Sequence, residues 1–279
     1  MFNMKKVGHA GTLDPMATGI LPIAIGKATK LISFLQNKQK KYLFTIKWGE
    51  STETDDSEGK VIEISKNRPT EDQILKEISS FLGEIFQKPP IYSAIKINGQ
   101  RSYKLARQNL FVEHNLRKVK IYKLTLKKIL NIDSAQFEVI CSKGTYVRSL
   151  ARDLAENLNT KGHVIELRRL SIGNFVIKDT IFIDFSKEII HSPTVFDKVL
   201  PIEAALDDIP ALPLTKHEAR KLKLGQKFDF ESLEFKKKFI KKFPNHIIFE
   251  KICAFYDQNI IAIIKIEEGL VKPKRIIND

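Results

Sequence analysis

Cysteine is nearly absent from this chain. Cys141 and Cys253 are the two present, far apart and without a Cys-x-x-Cys neighbour, which argues against a disulfide framework or a zinc site and points to a reducing compartment. Long apolar runs are missing too. Residues 260–264, Ile-Ile-Ala-Ile-Ile, are among the densest and fall far short of the roughly 20 residues that cross a bilayer. The first residues hold no basic-then-apolar leader with a cleavage site, so the expected location is cytoplasmic. Familiar catalytic signatures are also absent: Leu21 stands where a P-loop ending in Gly26-Lys27 would need its first glycine, and there is no Gly-x-Ser-x-Gly elbow or His-Glu-x-x-His. Six histidines are scattered, and no metal site is expected from them. No internal repeat or low-complexity linker interrupts the chain.

Positive charge is abundant. The net charge is +14, from 47 basic and 33 acidic residues, which suggests a polyanionic partner such as nucleic acid or an anionic membrane surface. Residues 88–128 hold eleven Lys or Arg against one acid, Glu113, so this segment carries +10 and all the others together +4. Tyr92, Tyr103, Phe111 and Tyr122 are spaced among those cations. Loop RNA needs that combination, because bases stack on rings while cations meet phosphates. A solvated basic face is the other reading of such a run, and the nearly unmixed sign favours RNA. Lys96, Arg101, Lys104, Arg107, Arg117 and Lys118 are the candidate RNA contacts. A membrane-surface role would call for a basic amphipathic helix with a large apolar face, which the sequence lacks.

At 279 residues the chain can form one large domain and a small one. Residues 40–48 alternate, with Tyr42, Phe44, Ile46 and Trp48 on one face, and predict a half-buried strand. An acidic loop with Asp55 and Asp56 follows, then a short strand over 61–64. Thr70 and Gln73 form a capping box opening a helix with one apolar face, stopped by Gly83. Residues 136–140 read as a strand, and a helix is expected from about Thr145, with Val147, Leu150, Ala151, Leu154, Ala155 and Leu158 on its buried stripe. Tyr146 and Arg148 then fall in its first turn. A cation there opposes the helix dipole, so Arg148 is either partnered by an anion or carboxylate or is an ordinary surface arginine. From about residue 211 the pattern changes to a helix over 215–224 followed by Gly225, then strands over 247–256 and 259–267.

Residues 8–22, Gly-His-Ala-Gly-Thr-Leu-Asp-Pro-Met-Ala-Thr-Gly-Ile-Leu-Pro, hold three glycines and two prolines and must form a shaped loop. Pro15 pushes Asp14 out of the helical region, leaving its carboxylate to project. This stretch resembles motif II of the TruB family of tRNA pseudouridine synthases, and later signatures follow in order: Lys-Gly-Thr-Tyr-Val-Arg over 143–148, Leu-Arg-Arg-Leu over 167–170 and Leu-Pro-Ile-Glu-Ala-Ala-Leu over 200–206. The resemblance implies an α+β pseudouridine synthase fold with a mixed, mostly antiparallel central sheet flanked by helices. It implies a catalytic domain over 1–210 with an RNA-gripping insertion at about 88–128, and a small β-rich PUA-like RNA-binding domain over 211–279.

The activity so implied is isomerisation of uridine 55 in the tRNA T-loop. The bond from N1 to the ribose breaks, the freed base turns and is rejoined through C5, with the nucleotide flipped out of its loop. Nothing enters from outside, so no cofactor is expected. Glycosidases use two carboxylates because one protonates the leaving group; uracil leaves as a delocalised anion that stays bound, so one aspartate suffices. Asp14 matches the family's catalytic aspartate and Arg148 the arginine that pairs with it. Tyr42 matches a tyrosine that stacks on the base and is implicated in proton removal. His9, Tyr146 and Leu167 match pocket-lining residues, and Lys30 a lysine near the site. The partner is the T-arm of tRNA, and the chain is expected to be a monomer with no obligate protein partner. Family members carry a longer stretch ahead of the glycine loop with a Lys-Pro-x-Gly-x-Thr-Ser motif. The start seven residues before Gly8 is therefore read as a misplaced start codon or a truncation. The rival expectation is a non-catalytic tRNA-binding or tRNA-folding protein.

Overall fold

The computed structural model describes residues 5–108, 110, 112–182, 198–206, 209–243 and 250–277; Phe111 and residues 247–249, which figured in the sequence expectations, lie outside them. The chain divides into two compact units that interleave along the sequence. Met1–Ala10, Ile23–Leu35 and Ile181–Asp279 make one, and Gly11–Pro22 with Gln36–Thr180 makes the other. The sequence boundary near residue 210 thus falls inside the first of these units.

The unit containing Gln36–Thr180 is built on a seven-stranded sheet. Its order is Phe175–Val176, Gly162–Ile172, Lys40–Trp48, Ser134–Cys141, Arg117–Asn131 and Gly83–Gln87, with Thr18–Gly19 beside Gly162–Ile172. Thr18–Gly19 pairs in parallel and the other pairings are antiparallel, so the sheet is mixed and mostly antiparallel, as expected. The alternation in Lys40–Trp48 puts Phe44, Ile46 and Trp48 into the core. Phe44 stacks on Phe137 at 5.5 Å between ring centroids, and Trp48 meets the same ring edge-on at 6.1 Å, a geometry suited to ring quadrupoles. Val147, Leu150, Ala151 and Leu154 of the helix Val147–Asn157 complete this core.

That helix begins two residues later than expected. Thr145 Oγ1 donates to the Ser142 carbonyl at 3.0 Å and Gly144 has φ +85°, so residues 142–145 form a turn of their own, and Tyr146 is the extended N-cap. The Thr70–Gln73 capping box is present at the start of Glu71–Glu77, and Thr215–Glu218 forms a second at the start of Lys216–Lys223. Gly83, expected as a helix stop, opens the strand Gly83–Gln87 instead, with a 3-10 turn, Ile78–Phe81, ending the helix before it.

The basic run over 88–128 is divided between two settings. Its first part forms the small hairpin Lys96–Ile97/Gln100–Arg101 and the helix Ser102–Arg107. Its last part, from Arg117, belongs to the fifteen-residue strand Arg117–Asn131 of the central sheet rather than to an insertion. Val119, Ile121 and Leu124 are buried there while the lysines between them face solvent, so the charge masked a strand in the sequence.

The other unit has a five-stranded sheet in the order Ala211–Pro213, Ile252–Tyr256, Asn259–Glu267, Leu270–Ile276 and Phe228–Asp229. Leu212, Leu222, Ile252, Ile264 and Val271 form its core. The hairpin Val7–His9/Ile23–Ile25 and the 3-10 helix Gly26–Leu31 belong to this unit. Arg275 Nη1 donates to the Lys30 carbonyl at 2.9 Å, and Lys30 Nζ to that of Ile277 at 3.3 Å. Among the described residues no helix is long and apolar enough to cross a membrane.

Candidate active site

Glycine and proline shape the loop before any tertiary contact does. Asp14 accepts from the Ala17 amide at 2.9 Å through its main-chain carbonyl, which closes a turn and leaves the side chain to project. The carboxylate meets Arg148 in a bidentate pair: Nε donates to Oδ2 at 2.9 Å and Nη2 to Oδ1 at 3.1 Å. Arg148 is the second residue of its helix, where the axis dipole gives a cation no support, and two carboxylates hold it there instead. Nη1 lies 3.2 Å from Asp56 Oδ2 and donates to the Thr54 carbonyl at 2.8 Å, while Nη2 donates to the Tyr92 carbonyl at 3.1 Å. Four hydrogen bonds and the ion pair with Asp56 thus surround the guanidinium, as a side chain only 4% exposed requires. Asp14 itself is 32% exposed on its side chain, so the pair leaves a carboxylate that is aimed yet open to a ligand. Of the two sequence readings of Arg148, the carboxylate-partnered one is the geometry found.

Asp56 and Asp55 were legible only as an acidic loop. Asp56 Oδ1 accepts from Thr54 Oγ1 at 2.5 Å and from the Glu58 amide at 3.0 Å, and the turn is docked on the sheet through Val164, whose amide donates to the Asp55 carbonyl at 3.1 Å. One helical turn past Arg148, Arg152 pairs with Asp55 at 2.7 Å and donates to the Lys88 carbonyl at 2.9 Å. Ser149 Oγ donates to that same carbonyl at 2.8 Å. One helix face therefore holds the acidic turn, the Asp14 carboxylate and the root of the basic hairpin.

Burial pushes the Asp55 carboxyl up to about 6 despite the arginines beside it. The folded state thus binds this proton more tightly than the unfolded chain, and the group's contribution to stability declines as pH rises from about 4 to about 6. The shift corresponds to about 3 kcal/mol. Asp55→Asn removes that decline, so urea unfolding should show a stability rising more steeply with pH across this window in the variant than in the wild type. Parallel slopes would mean that Asp55 titrates normally.

Tyr42 lies on the central strand, opposite Arg169 and Val139. Burial raises its phenol to about 12. Tyr146 caps the Arg148 helix, and its main chain is fixed on both sides by Gln87: Oε1 accepts its amide at 3.1 Å, and Nε2 donates to its carbonyl at 3.3 Å. Burial raises this phenol too, and the Asp14 carboxylate acts on both tyrosines in the same direction. The structure thus gathers Asp14, Arg148, Tyr42 and Tyr146. Leu167 is 6% exposed and sits in the core, opposite Phe44. His9, in Val7–His9, and Lys30, in Gly26–Leu31, belong to the other compact unit.

Of the candidate RNA contacts, Lys96, Arg101, Lys104, Arg107, Arg117 and Lys118 are all exposed. Lys104 and Arg107 share the outer side of the Ser102–Arg107 helix, whose other side buries Ser102 and Ala106. The Arg107 guanidinium lies 5.8 Å from the Tyr103 ring centroid. Lys118 is paired with Glu84 at 2.6 Å, a surface pair of small energetic value.

A mostly antiparallel sheet with a glycine-loop aspartate clasped by a helix-borne arginine, its charge felt by two tyrosines, is the arrangement of a pseudouridine synthase. Residues 1–147 match the model of the TruB family pseudouridylate synthase N-terminal domain, and residues 148–207 that of the tRNA pseudouridylate synthase B C-terminal domain. The chain belongs to the TruB family. It is 45% identical over 275 residues to the tRNA pseudouridine synthase B of Rhodospirillum rubrum, an alignment covering 98% of this chain and 87% of that one. It is 40% identical to the protein of the same name from a Caulobacter species, covering 99% and 88% respectively. In fold it is similar to a chain of a Cbf5-Nop10-Gar1 complex (TM-score 0.70, 21% identity, 99% of this chain and 78% of that one). It is equally similar to a chain of an H/ACA RNP bound to a substrate RNA containing 2′-deoxyuridine (TM-score 0.69, 20% identity, the same coverage).

Proposed function

We propose that this enzyme isomerises uridine 55 in the T-loop of tRNA to pseudouridine, with Asp14 as the catalytic carboxylate. The observation that supports this reading is the bidentate Asp14–Arg148 pair, in which a buried arginine orients a carboxylate left partly open. The target uridine flips out of its loop and brings C1′ against Asp14. The N1–C1′ bond breaks, the uracil anion stays between the tyrosines, and C5 takes the place of N1 on the sugar. The C5 proton is lost and N1 gains one, so atoms and electrons balance within the nucleotide. Tyr42, its phenol held up at about 12, is protonated at neutral pH and serves first as the ring on which the base stacks. Tyr146 lines the nucleotide pocket beside Asp14. The protein acts in the cytoplasm as a monomer, and the 211–279 segment supplies a second, PUA-like RNA contact. Incubation with unmodified tRNA followed by pseudouridine mapping tests the assignment. Product at position 55 also eliminates the non-catalytic tRNA-binding reading, whereas product only at other positions, or on ribosomal RNA, would sink the assignment.

The exposed pair on the Ser102–Arg107 helix separates grip from chemistry. Replacing Lys104 and Arg107 together by Ala should raise the Michaelis constant for tRNA and flatten the log-log salt dependence of binding by about one to two units. Single-turnover chemistry at saturating tRNA should stay close to wild type, because Asp14 and Arg148 are untouched. An unchanged slope would assign this charge to a solvated face.

A further inference from the structure

Arg169 lies in the strand Gly162–Ile172 with 2% of its surface exposed, a place that a cation holds only when its donors are satisfied. Those donors reach the loop that carries Asp14. Nε donates to the Ile20 carbonyl at 2.9 Å and Nη2 to the Gly11 carbonyl at 3.0 Å. The main chain of the same residue accepts the Ile20 amide at 3.0 Å. Both ends of the 11–20 loop are therefore tied to one residue, with Asp14 between them. The approach leaves no room for a side chain at Gly19, where a Cβ would lie 2.2 Å from the Arg169 carbonyl oxygen on a backbone with φ +104°. Tyr42 stands directly opposite Arg169 on the neighbouring strand, and the guanidinium charge opposes the rise that burial gives the phenol.

We propose that Arg169 is a positioning residue for the reaction, its guanidinium fork and main chain holding the Asp14 loop to the strand that lies beside Tyr42. The inference rests on Asp14 as the catalytic carboxylate. Two groups that act on opposite sides of one nucleotide, sugar and base, need a common support, and a displacement of about 1 Å can cost about 100-fold in rate. Arginine suits this place because its donors form a rigid planar fork that spans separate acceptors, whereas lysine carries the same charge on a single point. Arg148 aims the carboxylate itself, and Arg169 holds the backbone on which that carboxylate is carried.

The test is Arg169→Lys in the full chain, which keeps the buried charge and removes the fork. The single-turnover rate at saturating tRNA should fall about 10- to 100-fold, with the tRNA dissociation constant within a few-fold of wild type. Amide hydrogen exchange should quicken over residues 12–20 while the strand Lys40–Trp48 stays protected. A wild-type rate overturns the proposal, and so does a slow variant in which Lys40–Trp48 exchanges as fast as the loop. If the lysine variant does not fold, Arg169→Gln, which keeps a planar donor, carries the same comparison; failure of both to fold would make Arg169 a requirement of the sheet and overturn the positioning role. An active Asp14→Asn enzyme would sink the underlying reading separately. A wild-type-like Arg169→Lys beside an inactive Asp14→Asn sinks this inference alone.

Discussion

Replacing Asp14 by asparagine should take pseudouridine formation below detection while leaving tRNA affinity within a few-fold of wild type. The amide keeps the shape of the carboxylate but not its charge, and the group's work is done at the sugar in the transition state, where only an anion serves. Attack on C1′ and removal of the 2′ proton both need a carboxylate in this place, so the loss is expected on either route. Affinity should persist because phosphate contacts on the basic surface carry most of it. Folding should be only mildly affected: asparagine turns one N–H toward the Arg148 fork and forfeits one of its two bonds, a charged hydrogen bond of about 1.5–3 kcal/mol. Single-turnover assays and filter binding on the same preparation separate the two quantities. Substantial residual turnover would move the chemistry to another residue.

Arg148→Met should be the most destabilising single change at the site. Methionine fills much of the same volume but leaves Asp14 and Asp56 without a cation and the Thr54 and Tyr92 carbonyls without their donor. The greater cost falls on Asp56, whose side chain is only 2% exposed. Removing one partner of a buried ion pair costs about 3–5 kcal/mol because the other charge stays behind. Urea unfolding at neutral pH measures the loss, and turnover should vanish with it. A loss below about 1 kcal/mol would mean that the acidic turn swings out to water and needs no arginine.

Local patterns carried much of the fold. The period-two strand Lys40–Trp48, both capping-box helices and the apolar stripe from Val147 to Ala155 follow from spacing alone, since each is decided by neighbours a few residues away. The Asp14–Arg148 pairing was legible only as something the family resemblance implied, because 134 residues separate the partners. Asp55, Asp56 and Arg152 carried no signal as a network, since an acidic loop and a helical arginine are ordinary until folding brings them together. Arg169 was hidden in the same way, its burial decided by the loop that covers it. The strand Arg117–Asn131 escaped notice because its lysines mark the solvent face and break up the apolar residues behind them.

The interleaving of the two units bears on what can be cut from this protein. The strands Val7–His9 and Ile23–Ile25, which lead into and out of the Asp14 loop, fold with the chain after Ile181, as does Lys30, bonded to Arg275 and Ile277. A fragment ending at residue 210 would keep every residue of the Asp14–Arg148 cluster and lose the Arg275 and Ile277 partners of Lys30. The C-terminal sheet and the stem of the Asp14 loop thus belong to one folding unit, and a cut between them divides it.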